Sequence, residues 1–181
     1  MPNTRISTVL LAKMGLMTAI ALICSMFHFP ILPAAPFLEF EVSDIPVLIA
    51  AFAFGPIPGF IVGAVSILLH DVIIGMASGP YGMIMHLVAN AAFVLIAGAI
   101  YQRHKTKKGA LIALLVGGLS MTAAMIPANL FITPHFMGVP VEAVVAMLPT
   151  VILPFNLIKV AIDGVVVFLL YKRLSPFLHR Y

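Results

Sequence analysis

Charge is scarce in this chain of 181 residues: Asp, Glu, Lys and Arg together make up 9%, against 62% hydrophobic residues and a mean hydropathy of +1.17. No ordinary water-soluble composition is that poor in charge, so the sequence describes an integral membrane protein. Cysteine occurs once, as Cys24 inside an apolar run, which excludes an internal disulfide. No Gly-x4-Gly-Lys-[Ser/Thr] signature occurs, so the chain has no P-loop of its own and any energy for transport comes from a partner or a gradient. No Gly-x-Ser-x-Gly elbow accompanies Ser43 or Ser66 with His70 and Asp71, which argues against a hydrolase and for a non-enzyme. His28, His70, His86 and His135 lack paired ligand spacing, so no metal site is expected. Internal repeat halves, usual in gradient-driven carriers, are also missing.

What is present is a succession of apolar runs, predicting an all-α membrane domain over residues 1–181 with helices at about 9–27, 45–54, 60–74, 83–101, 110–128 and 154–171. Although Arg5 and Lys13 give the first run a signal-like start, no small-residue cleavage site follows, so it reads as a retained helix. Residues 28–43 carry Pro30, Pro33 and Pro36, which exclude a regular helix and predict a long structured loop. Asp44 is placed to cap the short second helix, broken by Gly55-Pro56-Ile57-Pro58-Gly59. Gly75 to Gly82 reads as a glycine-rich turn. The fifth helix is expected to end near Pro127, and 129–150 to be irregular with a short helix over Glu142 to Met147.

The basic residues test this count. With six crossings and both termini cytoplasmic, Arg5, Lys13, Arg103, Lys105, Lys107, Lys108, Lys172, Arg173 and Arg180 all fall on one side, as retained loops require, while Glu39, Glu41, Asp44, Asp71 and Glu142 fall on the other. The net charge of +4 therefore reports topology rather than nucleic-acid binding, for which no aromatic platform accompanies the basic cluster.

Three polar residues interrupt the last apolar run. Steps of three and four put Asn156, Lys159 and Asp163 on one helix face, and ionisable groups at membrane depth cost about 2.5 to 3.5 kcal/mol each unless they meet a cavity or a partner. If Pro154 opens the helix, Lys159 lies in its N-terminal half, where the macrodipole disfavours a cation. Either Lys159 serves a ligand or it only neutralises Asp163. Asn129, Asn156, Lys159 and the Glu39 region can converge at the outer face, around an apolar pocket with a few placed polar groups. Ala12, Gly15 and Ala19 form a small face on the first helix, suited to close approach by a partner helix or to packing within the protein.

The motifs Ser43-Asp44-Ile45-Pro46-x-Leu48-Ile49-Ala50-x-Phe52-x-Phe54-Gly55-Pro56, Asn129 to Pro134, and Pro154-Phe155-Asn156-Leu157-Ile158-Lys159 resemble the riboflavin-specific substrate-binding subunits of energy-coupling-factor (ECF) vitamin transporters. The likeness runs from about Thr8 to Arg173. It implies a multi-pass protein of the cell membrane that captures riboflavin, as substrate and without a cofactor, from outside. Its partners would be a transmembrane coupling protein and two cytoplasmic ATPases. It also implies that polar groups matching Asn129, Asn156 and Lys159 hold the ligand while the first external loop closes over it at Glu39 and Phe40, with Glu41 the alternative carboxylate. The family's helix-1 docking motif is partly kept, with Ala12, Gly15 and Ala19 in its place. The same architecture tuned to another vitamin, or a gradient-driven small-molecule carrier using Lys159 and Asp163, is the alternative reading.

Overall fold

The computed structural model describes residues 7–75 and 78–178. Arg5 and Arg180, counted above for topology, and Met76 and Ala77 of the glycine-rich turn lie outside the described residues. Helix α1 (Thr8–Ser25) leads into a two-stranded antiparallel hairpin, β1 (His28–Pro30) and β2 (Glu39–Glu41), then α2 (Asp44–Phe54) and α3 (Pro56–Ile73). Helix α4 (Gly79–Arg103) and helix α5 (Lys107–Met137) follow. Helix α6 is built from Val141–Met147, a wide turn at Leu148–Ile152, and Leu153–Leu178. Five of these six helices are long and apolar enough to cross a membrane, and α2 is not.

The short helix sets the architecture. Its 11 residues reach about 16 Å at 1.5 Å per residue, roughly half the hydrocarbon thickness of a bilayer. Val47, Leu48, Ile49, Ala50, Ala51 and Phe52 are all buried, so α2 is apolar all round and runs through the middle of the bundle, packed by α1, α3, α4 and α6. Close approach depends on glycine: a Cβ at Gly59 would lie 2.5 Å from the Cα of Ala51, and one at Gly118 would lie 2.9 Å from the Cβ of Val160. Where α2 ends, Phe52 stacks on Tyr101 with ring centroids 4.2 Å apart, and the Tyr101 and Tyr171 hydroxyls hydrogen-bond to each other, tying α2, α4 and α6 together.

Several expectations are corrected. The fold is predominantly helical but not purely so, because residues 28–43 fold as a hairpin: prolines bar a helix yet are tolerated in an edge ladder two strands wide. Only Gly55, at φ 109°, breaks the chain between α2 and α3. Pro56 and Pro58 belong to the first turn of α3, where a missing N–H costs nothing. Asp44 does not cap α2; Ser43 is the N-cap, without a side-chain cap bond.

The larger corrections concern proline. Helix α5 does not end near Pro127 but continues through it and Pro134 to Met137, closing on Gly138 in the left-handed conformation at φ 66°. Neighbouring helices and polar side chains let a membrane helix carry proline in this way. Residues 129–150 are therefore mostly helical. Nor does Pro154 open a new helix: the wide turn, closed by the Leu153 N–H on the Leu148 carbonyl five residues back, relieves the clash that proline causes in a regular turn. Lys159 thus sits within one long helical span, Val141–Tyr171, rather than in the first turns of a separate one.

The turns on either side of α5 mark opposite ends of a helix about 46 Å long by its residue count, more than a hydrocarbon core requires. In a Cys24→Ala background, Lys105→Cys and Val139→Cys should react with impermeant thiol reagents from opposite sides of the membrane. Labelling from the same side would refute this arrangement.

Candidate functional site

Because α2 starts half-way into the bundle, a space is left beyond its N-terminal end, bounded by α3, α4, α5 and α6 and roofed by the hairpin. A cavity of about 520 Å³ occupies it, within the range of small-molecule sites. Its apolar walls include Ile67, Met83, Met85, Met121, Met125 and Phe155.

Of the residues expected to bind ligand, Glu39, Asn129, Asn156 and Lys159 line this one cavity, although they come from β2, α5 and α6. Each asparagine donates an Nδ2 hydrogen to its own helix, Asn129 to the Met125 carbonyl and Asn156 to the Ile152 carbonyl, both at 2.8 Å. Asn129 Oδ1 also accepts from the Thr133 hydroxyl at 2.9 Å. Those bonds fix both rotamers before any ligand arrives. Phe40 is not in the lining. Phe40 is buried against Phe29, and its ring centroid lies 5.0 Å from the Nζ of Lys159, so it contacts the cavity's cation from the hairpin. Ala12, Gly15 and Ala19 are far from the cavity lining: all three are exposed, and nothing lies within 4 Å of a Cβ built on Gly15.

The electrostatic partner of Lys159 is a surprise of tertiary structure. Its ammonium donates to Asp44 Oδ2 at the start of α2, while Asp163, one turn along on its own helix, stands 3.9 Å away. Both Asp163 oxygens are buried without a hydrogen bond among the described residues. Neutralising Asp163 is thus not the main role of Lys159. Asp44 Oδ1 in turn lies 3.3 Å from His86 Nε2 on α4, and the other ring nitrogen, Nδ1, lies 3.3 Å from Glu41 Oε1 on the hairpin. A line of acidic and basic side chains therefore runs from Glu41 of the hairpin through His86 of α4 and Asp44 of α2 to Lys159 of α6.

Sequence reasoning missed this line. His86 was set aside for lack of metal-ligand spacing, and Asp44 was read as a cap. The available signal was the one that flagged Lys159: a polar side chain inside an apolar span calls for a partner. His70 also meets that description, with Nδ1 2.7 Å from the Ser25 hydroxyl, and so does Asp71, which reaches the cavity wall. On the hairpin itself, His28 Nδ1 lies 2.8 Å from Glu39 Oε2.

Comparison with known proteins agrees over nearly the whole chain. The family model "ECF transporter, substrate-specific component" matches residues 9–171. The riboflavin transporter RibU of Staphylococcus aureus (strain TCH60) is 32% identical over 94% of this chain and 92% of its own length. The riboflavin transporter FmnP of Bacillus subtilis (strain 168) is 29% identical over 94% of each. The solved S component of a bacterial ECF transporter superposes with a TM-score of 0.81 at 34% identity, covering 95% of this chain and 98% of that one. With its fold and its sequence in agreement, the chain belongs to the substrate-specific components of ECF transporters.

Proposed function

We propose that this protein captures riboflavin in the cavity under the hairpin and delivers it through an ATP-driven ECF transporter. The observation that carries the reading is the convergence of Glu39, Asn129, Asn156 and Lys159, drawn from three separate elements, on one cavity of about 520 Å³. The relatives named above are riboflavin transporters. Flavin chemistry suits these walls: the tricyclic ring is flat and apolar, its carbonyls accept hydrogen bonds from asparagine N–H groups and an ammonium, and the ribityl hydroxyls donate to carboxylates and carbonyls.

In this reading the chain works as one membrane domain crossing six times, the short α2 included, with both termini in the cytoplasm and the hairpin outside. The described basic residues Lys105, Lys107, Lys108 and Arg173 then lie on the retained side, as charge asymmetry demands. The protein performs no chemistry on its ligand. A transmembrane coupling protein and two cytoplasmic ATPases supply the energy, and the exposed face at Ala12, Gly15 and Ala19 receives the coupling protein, small side chains letting two helix backbones approach closely.

Riboflavin fluorescence should be quenched on titration into the purified protein. Asn156→Leu, which removes the polar group and roughly keeps the volume, should weaken that binding by about 1 to 3 kcal/mol, or about 5- to 150-fold in Kd. Equal affinity in wild type and variant would remove Asn156 from the site, and no quenching by the wild type would overturn the function.

Gly15→Leu or Ala19→Leu should abolish uptake by cells while the isolated protein still binds riboflavin. Simultaneous loss of binding would mean that this face packs within the protein itself.

Lys159→Met leaves the Asp44 carboxylate buried without its cation, and breaking a buried pair from one side costs about 3 to 5 kcal/mol. Its melting temperature should drop and riboflavin affinity should fall, and Asp44→Asn in the same chain should restore most of the stability but not the affinity. A better rescue by Asp163→Asn than by Asp44→Asn would reassign the partner of Lys159.

A further inference from the structure

Ser25 at the end of α1 and Ser66, His70 and Asp71 on α3 all line the cavity, and none of them has a hydrogen left to offer it. The Ser66 hydroxyl donates to the Gly63 carbonyl at 2.9 Å, and the Ser25 hydroxyl donates to the Leu22 carbonyl at 2.7 Å. A hydroxyl carries a single hydrogen, and a carbonyl can only accept it, so the 2.7 Å contact between Ser25 Oγ and His70 Nδ1 is made with the hydrogen of the ring. That fixes the tautomer of the neutral imidazole, with the hydrogen on Nδ1 and a lone pair on Nε2. His28 of the hairpin meets the same ring edge to face, with centroids 6.0 Å apart, and so limits its tilt. Asp71, as a carboxylate, only accepts, and its Oδ2 is buried without a hydrogen-bond partner among the described residues.

The wall built by α5 and α6 has the reverse character. Asn129 and Asn156 each spend one amide hydrogen on their own helix and keep a second, and the Lys159 ammonium keeps hydrogens beyond the one given to Asp44. Helix α3 packs on α1, α2 and α4, whereas α5 and α6 pack on each other, so the accepting and donating walls stand on different sides of the cavity.

We infer that Ser66, His70 and Asp71 form a hydroxyl subsite, along which the polyol chain of the ligand lies while the carbonyl edge of its ring meets α5 and α6. The inference rests on the riboflavin reading and deepens it. A lone pair on Nε2, a serine oxygen whose hydrogen is spent and a carboxylate all call for a donor, and a buried acceptor left without one is costly. The flavin ring supplies a single N–H, flanked by carbonyls that acceptors repel, whereas the ribityl chain supplies a row of hydroxyls. Ser66 and His70 are one helical turn apart, about 6 Å along the axis, a span that several carbons of an extended chain cover. Helix α3 therefore selects for the tail, as the asparagines and Lys159 select for the ring, and Ser25 is a positioning residue that sets which nitrogen of His70 accepts.

Lumiflavin, which carries a methyl group in place of the ribityl chain on the same ring, separates the two walls. In fluorescence-quenching titrations the purified protein should bind riboflavin more tightly than lumiflavin. Ser66→Ala and His70→Leu should each lower that preference by about 2- to 12-fold, the range of a neutral hydrogen bond, and Asp71→Leu by about 12- to 140-fold, the range of one to a charged group. Asn156→Leu, on the other wall, should weaken both ligands alike. Ser66→Ala removes one oxygen and nothing else, so it decides the matter even if the larger replacements do not fold. Equal affinity of the wild type for the two flavins would overturn the subsite, and so would α3 variants that leave the preference intact. No binding of either flavin by the wild type would overturn the functional reading and the subsite with it.

Discussion

The bond between Lys159 and Asp44 is the constraint on which the rest of this structure depends. Both groups are nearly inaccessible, and a buried charge at membrane depth is tolerated only where an opposite charge meets it in good geometry. The pair joins residues 115 apart in sequence, the middle of the last helix and the beginning of the second. Helix α2 must therefore begin inside the bundle, at the depth of Lys159, rather than at its surface. That depth explains why α2 is short and why a cavity opens beyond its start.

The same demand for partners shapes the walls. The asparagines of α5 and α6 bond back to carbonyls of their own helices, so their side chains are held in place when the cavity is empty. Preorganised polar groups in an apolar cavity lose less on binding than groups that must first be ordered. At the far end of α2 the requirement is met differently: Phe52, Tyr101 and Tyr171 meet in ring contacts and a hydroxyl–hydroxyl hydrogen bond, none of them in the cavity lining.

Proline marks where local rules and the membrane environment part company. In water, Pro127, Pro134, Pro149 and Pro154 would each argue for a helix boundary. Within a bilayer an unpaired carbonyl or N–H is costlier than a distorted turn, so the chain keeps its helices and absorbs the misfit, with a wide turn at Leu148–Ile152 and an uninterrupted helix through Pro127 and Pro134. Asn129 consequently projects from a helix that also carries Met121 and Met125 into the cavity, instead of from a loop.

While Asn129 and Glu39 were marked by the family resemblance, the sequence by itself determined the class of the protein, the main apolar helices, and the identity of Asn156, Lys159 and Asp163 as residues in need of an explanation. These follow from transfer energetics, which act on each residue or short window separately: an apolar run enters the bilayer, and a polar group inside it stands out. Which polar group meets which was decided by tertiary structure alone. Asp163 was the natural partner of Lys159 along the helix, yet Asp44 takes the ammonium, and His86 links both to the hairpin. Phe40 of the hairpin lies beside the Lys159 ammonium of α6, another contact between residues distant in sequence. Contacts between residues distant in sequence depend on where helix α2 begins and how deep the hairpin sits. Those are set by packing across the whole bundle, and no local pattern of side chains encodes them.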